Sequence, residues 1–197
     1  MKKIAFVFLW MGVLVSQAWA HPHAWIDVLL TPDMTEDRRI AAVRMQWAFD
    51  PFYAQVMLEE VQAASSKAEF DARWAALEQD INRTLREAGF HVTADADFGE
   101  GTATLRVADG ELFLDVHLPL REAVPRLRYQ IYESTYYVEM LHAAEQPREW
   151  ENGCRLQLAP ANPSPEKVAE AYALDRNAQG EVNLGRHFAE SGVLTCR

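Results

Sequence analysis

The stretch Ala103-Thr104-Leu105-Arg106-Val107-Ala108-Asp109-Gly110-Glu111-Leu112-Phe113-Leu114-Asp115-Val116-His117-Leu118 decides the fold class. Asp109-Gly110 is the strongest hairpin turn in the chain, because a tight two-residue turn needs positive φ at its centre and these residues supply it. On the return side, 111–118 alternates: Leu112, Leu114, Val116 and Leu118 face one way, and Phe113, Asp115 and His117 the other. That period of two is the pattern of an antiparallel strand with one wet face. The strand before the turn spans 103–107.

Working outward, 23–30 alternates and is rich in branched and aromatic residues, a strand ended by Thr31-Pro32-Asp33. Its hairpin partner is 40–49, with Val43, Met45, Trp47 and Phe49 on one face. Asp50-Pro51 then supplies an N-cap followed by proline in the first turn, a helix start, and Phe52, Val56 and Met57-Leu58 follow at helical spacing. A second helix spans 67–88, with Phe70, Trp74, Leu77, Ile81 and Leu85 on one stripe and Gly89 at its end. Further strands are expected at 90–94, at 127–132 and 136–142 around a Glu133-Ser134-Thr135 turn, and at an edge over 155–158. After a turn-rich linker (160–165), 166–174 and 184–190 read as helical. The expectation is an α+β fold: a largely antiparallel β-sheet with a helical insertion after the first hairpin and C-terminal helices.

With 197 residues, 49% hydrophobic and 24% charged, the composition is that of a globular chain with a sizeable core. A formal charge of −10 argues against nucleic acid and anionic membrane surfaces as partners. Lys2 and Lys3, an uncharged apolar run over 4–15, and Ala18-Trp19-Ala20 describe a cleavable secretory signal over 1–20; the alternative is an uncleaved N-terminal anchor. Cleavage after Ala20 leaves a single domain over 21–197 that begins at His21. No second apolar stretch approaches spanning length, so the expectation is an exported, soluble protein. Cys154 and Cys196 are then most simply one disulfide; a catalytic thiol is the alternative, although the pair lacks a redox spacing.

The chemistry-bearing signal is His21-Pro22-His23-Ala24-Trp25-Ile26-Asp27. In an extended chain His21, His23, Trp25 and Asp27 share a face, with the two histidines about 7 Å apart. Both rings can then converge on one ion, and a mature His21 adds its α-amine, the arrangement called a histidine brace. The amino-terminal copper/nickel motif is not expected, because Pro22 has no N–H to lose. Asp115 and His117 form a second pair at strand spacing. If that strand lies beside the one carrying His23, three imidazoles and a carboxylate meet, a set suited to zinc, nickel or copper(II). The competing readings are a solvated N-terminus for His21 and His23 and a solvent-facing position for His117. His142 either approaches this site or ends its strand. His91 and His187 have no partners at useful spacing. No nucleophile elbow, zincin motif, phosphate loop or dinucleotide fingerprint occurs, so the chain is not expected to be an enzyme. Phe49, Phe52, Tyr53, Tyr132, Tyr136 and Tyr137 line either a pocket or the core.

Three stretches carry a resemblance: His21-Pro22-His23-Ala24-Trp25-Ile26-Asp27, Trp47-Ala48-Phe49-Asp50-Pro51-Phe52-Tyr53 and Tyr132-Glu133-Ser134-Thr135-Tyr136-Tyr137-Val138. Together they resemble an uncharacterised bacterial family, a domain of unknown function described as the periplasmic component of an ABC-type transport system. The resemblance covers nearly the whole mature chain, including both cysteines. The family tends to be encoded beside nickel/cobalt-type permeases, which implies a periplasmic metal-handling role. It carries over His21, His23, Asp50, Tyr53, Tyr132 and Tyr136. Many relatives hold an acidic, calcium-loop-like stretch after the first helix; here 61–67 lacks the required aspartates, so calcium is not expected.

The expected function is therefore a transition-metal-binding accessory protein of a membrane metal permease or ABC-type transporter, with zinc or nickel ahead of copper. His21 and His23 are its primary ligands, and His117 and Asp115 complete the set. The alternatives are a non-metal adaptor that uses its acidic surface or aromatic pocket, and a copper enzyme built on the His21 brace.

Overall fold

The computed structural model describes residues 22–174 and 182–197. The signal expected over 1–20, and His21, lie outside the described residues.

Strands β1 (Ala24–Met34) and β2 (Ile40–Phe49) form the first hairpin, followed by helices α1 (Pro51–Gln62) and α2 (Lys67–Glu87). Then come β3 (Val92–Ala94), β4 (Thr102–Ala108), β5 (Glu111–Val124), β6 (Arg126–Ile131), β7 (Val138–His142) and β8 (Cys154–Ala159), with α3 (Pro165–Ala173) and β9 (Ser191–Cys196) closing the chain. They build two sheets: five strands in the order β4-β5-β2-β1-β7, and four in the order β3-β6-β9-β8. All ladders are antiparallel except β1 with β7. The α+β class holds, with two sheets in place of one.

The alternation seen in the sequence sets the faces. Ala24, Ile26, Val28, Leu30, Val43, Met45, Trp47, Leu112, Leu114, Val116 and Leu118 are all buried on the inner face of the larger sheet. They share one core with Leu127, Tyr129, Ile131, Leu156 and Leu194 of the smaller sheet and with Leu85 of α2. The outer face is polar, and Asp27, Thr31, Arg44 and His117 are exposed on it.

Helix α1 starts as its sequence dictates: Oδ1 of Asp50 accepts from the backbone N–H of Phe52 and Tyr53, at 3.0 and 2.9 Å, with Pro51 in the first turn. At α2, Ser66 caps the Glu69 N–H while Glu69 reaches back to the Ser65 N–H and hydroxyl, close to a capping box. Trp74, Leu77 and Ile81 pack against the core and Leu85 is buried in it, whereas Phe70 is exposed.

Four expectations are corrected. First, the strands at 127–132 and 136–142 are not hairpin partners: β6 lies in the smaller sheet, and β7 pairs in parallel with β1. Second, 184–190 is not an α-helix but a 3-10 turn over Leu184–Phe188, followed by the unforeseen strand β9 in the middle of the smaller sheet. Gly192 weakens the strand signal there, yet it is required, since a Cβ would lie 2.3 Å from the Tyr129 ring. Third, β1 runs on through Thr31-Pro32-Asp33. Pro32 pairs with Val43 beyond the last β7 contact at Val28, so β1 is an edge there and loses no ladder bond on its open side. Fourth, 90–94 begins with a left-handed turn and only Val92–Ala94 is strand.

Cys154 and Cys196 are register partners on β8 and β9 and form the expected disulfide, 42 residues apart in sequence. No helix among the described residues is long and apolar enough to cross a membrane.

Candidate functional site

The three stretches that carry the resemblance meet at one end of the five-stranded sheet. The backbone N–H of His23 donates to the Tyr137 carbonyl at 2.9 Å, and the His23 ring lies 4.7 Å from the Tyr137 ring. Two residues on, the Trp25 N–H donates to Asp50 Oδ2 at 3.0 Å and the Trp25 carbonyl accepts from the Asp50 N–H at 3.1 Å. Asp50 thus ties the head of β1 to the cap of α1. Glu133 organises the third stretch, accepting from the Thr135 N–H and hydroxyl and from the Tyr137 N–H at 2.7–2.9 Å. The Ser134 hydroxyl adds a longer bond at 3.4 Å.

Behind this junction, between α1, α2 and the inner face of the sheet, lies a cavity of about 260 Å³. Its apolar walls include Ile26, Leu114, Val138 and Met140 from the sheet and Met57, Ile81 and Leu85 from the helices. Its polar lining residues are Tyr53, Asp80, Thr84, His91 and Glu133, and Trp47 adds to its wall.

The electrostatics of these groups follow from their burial. Tyr53 is pushed up by desolvation, and then by Tyr137, Glu133 and Asp50, so it stays a neutral phenol. Desolvation pushes the His91 imidazole down, with Glu133 partly offsetting it, so His91 is neutral at pH 7. Burial alone would raise Glu133, but the bonds from Thr135 and Tyr137, together with nearby His91, hold it below the ordinary carboxylate value. It is ionised, and its four lone-pair positions are engaged by its own loop.

Two further features carry a cost. The Trp47 side chain is 2% exposed, and its indole N–H has no hydrogen-bond acceptor among the described residues. Leaving such a donor buried costs about 1–3 kcal/mol. In addition, Gly89, Phe90 and His91 follow one another in the left-handed region, with φ of 59°, 54° and 56°. For the two non-glycine residues this costs of order 1–3 kcal/mol each. Burial of Phe90, and the 2.9 Å bond from the Tyr132 N–H to the His91 carbonyl, hold the turn in place. The turn sets the His91 ring 6.3 Å from the Trp47 ring.

The expected four-ligand set does not assemble. β2 lies between β1 and β5, so the strands bearing His23 and His117 are not neighbours. His117 is in register with Arg44, and Arg44 with Thr31. Thr31 is eight residues along the strand from His23, about 26 Å at the usual rise. At that far end His117 Nε2 lies 3.7 Å from Asp33 Oδ2, and Asp33 also pairs with Arg44 at 2.5 Å. Asp115 is engaged by Arg106 at 2.9 Å and by Gln46 at 3.3 Å, and these bonds hold its carboxyl low. His142 ends its strand in a buried network, 2.8 Å from the Tyr129 hydroxyl and 2.9 Å from Glu190. Among the described residues no three His, Cys, Asp or Glu side chains are grouped to hold a metal.

Of the pocket residues expected from the resemblance, Tyr53 lines the cavity. Asp50 lines a neighbouring groove with Trp25 and Asp27. Tyr132 reaches the site through its backbone bond to His91. Tyr136 turns away: it stacks on Phe188 at 3.9 Å, and its hydroxyl donates to Glu139. Sequence reading passed over His91, Glu133 and the polar edge of Trp47. None has a partner at a fixed spacing, since His91 and Trp47 meet through tertiary packing alone.

Residues 6–196 match the family described as protein of unknown function (DUF1007). The chain belongs to that family. A protein of Haemophilus influenzae, described only as uncharacterised, is 25% identical over 208 aligned positions, covering 96% of this chain and 95% of its own. No solved structure matches. The convergence at the His23 end is thus a feature of a DUF1007 chain seen through its own geometry.

Proposed function

We propose that this DUF1007 protein is a periplasmic metal-handling accessory, exported by the signal over 1–20, that passes a divalent transition metal to or from a membrane permease or ABC-type transporter. The metal is its cargo, zinc or nickel ahead of copper, with His21 and His23 as ligands. The observation that supports this reading is the convergence of all three family-like stretches on the end of the sheet where His23 sits. His23 is anchored there by its backbone against Tyr137, which supports a histidine pair held on a firm base. Separation from His117 and Asp115 limits the proposed ligands to His21, His23 and the α-amine of a mature His21. Binding should weaken below about pH 6, because imidazoles ligate only when neutral.

The test uses protein exported with its own signal, with the N-terminus fixed by intact mass. Zinc, nickel and copper are titrated into it and into a version with one residue added ahead of His21. Tight binding lost on extension places the α-amine in the site; binding lost only in His23→Ala makes it a side-chain site. No binding to either protein overturns the metal reading.

A second reading, a non-metal binding module serving the same kind of transporter, draws support from the cavity under α1 and α2. It predicts that His21→Ala/His23→Ala leaves capture of the transporter intact.

A further inference from the structure

Charge is not spread evenly over this chain. Acidic residues outnumber basic ones by 29 to 19, yet the outer face of the four-stranded sheet carries a stripe of arginines. Leu127, Tyr129, Leu156, Leu194 and Cys196 are buried, so by strand alternation their neighbours point outward. Arg126, Thr195 and Arg155 stand in register across β6, β9 and β8, and Arg128, Val193 and Gln157 form the next row. At one end Arg197 joins Arg126 and Arg155 around a concavity of about 470 Å³ that no acidic side chain lines, and the Arg197 carbonyl accepts from Arg38 at 3.3 Å. At the other end Arg186 donates to Gln130 at 3.3 Å. Elsewhere Arg44, Arg73, Arg83 and Arg106 each hold a carboxylate. Among the described residues Arg126, Arg128 and Arg197 hold none, and Arg155 alone on the stripe pairs, with Glu149 at 3.0 Å. Arg126 and Arg128 are about 7 Å apart on one strand face, where like charges repel unless an anion lies between them.

We propose that this face docks an acidic segment of a partner protein, laid extended along β9 between Arg126 and Arg128 on one side and Arg155 on the other. Charge complementarity names the chemistry: guanidinium groups take carboxylates in paired hydrogen bonds, and arginine suits that contact better than lysine. Shape names the form of the partner. From β6 to β8 the stripe is two strand spacings wide, about 10 Å, and from Ser191 to Arg197 it is about 20 Å long, room for about six extended residues. A carboxylate bounds each long side: Asp95, which accepts the Arg128 backbone N–H at 2.8 Å, and Glu149 beside Arg155. A broad anionic surface such as a bilayer meets both of those carboxylates, whereas a single extended chain lies between them. This surface is separate from the metal cargo and stands whether or not His21 and His23 take a metal.

The test titrates hexaglutamate into the exported chain and follows backbone amides by ¹H–¹⁵N NMR. Binding of a polyanion by a chain of formal charge −10 runs against net repulsion, so it requires a local basic surface. The shifts should concentrate in 126–130, 153–157 and 191–197, and affinity should fall steeply between about 20 and about 200 mM salt. Arg126→Gln and Arg128→Gln should each weaken binding about two- to fivefold, the range of a single exposed ion pair. Glu149→Gln should tighten it by a similar factor, because it frees Arg155 and removes the bounding charge. Arg86→Gln makes the same charge change on α2 beside Glu78 and Asp80 and should leave affinity unchanged. Shifts scattered over the chain, equal losses in Arg86→Gln and Arg126→Gln, or no binding overturn the proposal. So does a preference for phosphatidylglycerol vesicles over hexaglutamate, which would make the face a membrane surface.

Discussion

Asp50 holds Trp25 from two sides: its Oδ2 accepts the Trp25 N–H at 3.0 Å and its own N–H donates to the Trp25 carbonyl at 3.1 Å. With Oδ1 capping α1 through Phe52 and Tyr53, one carboxylate couples the head of β1 to a helix start. Asp50→Ala removes the cap and the Trp25 bond together, at about 1–2 kcal/mol for the cap alone. For a chain of this size that is a fall of about 2–8 °C in Tm, measured by thermal melts. Asp50→Asn, which keeps an acceptor, should recover most of it.

The geometry separates the histidines of the outer sheet face from those at the site. His117→Ala should leave metal affinity unchanged within a factor of two, whereas His23→Ala should lower it at least tenfold, both by titration calorimetry. Equal losses in the two variants would contradict the register that places His117 beside Thr31 and Arg44.

Burial pushes the His142 imidazole down, against the opposing bond and charge of Glu190, and burial pushes His91 down likewise. Between their lowered folded values and the ordinary 6.5 the unfolded chain binds more protons, so stability rises with pH in that window. It is fully present above pH 6.5 and is lost as pH falls from there. Urea midpoints from pH 8 to 5 should decline below 6.5, and His91→Gln should flatten the decline. The Glu133 contribution, whose carboxyl is held low, should fade only below 4.5.

The disulfide joins register partners on β8 and β9 and closes a span of 42 residues. Cys154→Ser/Cys196→Ser should cost about 4 kcal/mol by loop entropy. Chemical denaturation of the double variant beside the oxidised chain measures this.

Gly185 packs against the loop that shapes the site: a Cβ there would lie 1.8 Å from the Glu133 carbonyl oxygen, and its N–H donates to the Ser134 carbonyl at 3.1 Å. Gly185→Ala must displace that loop, costing about 1–3 kcal/mol. It should also shift the Tyr137 and His23 amide resonances, which a purely local strain would leave in place.

The sequence by itself determined the local pieces. The β4–β5 hairpin, the β1–β2 hairpin, the Asp50-Pro51 cap, the α2 stripe and the inward faces of β2 and β5 all come from periods, turns and caps that neighbouring residues decide. The disulfide was legible too, because two cysteines have only one pairing. Tertiary structure alone decided sheet membership and neighbourhood. Nothing local in 127–132 or 138–142 says that β6 and β7 part into different sheets, nor that β2 intervenes between β1 and β5 in a register that sets His117 level with Thr31, about 26 Å along the strand from His23 at the usual rise. β9 was hidden for the same reason: its glycine makes sense only once the Tyr129 ring is beside it. The cavity, with Trp47 from one strand, His91 from a strained turn and Glu133 from a loop, exists because packing joins residues tens of positions apart, and no sequence period encodes such a meeting.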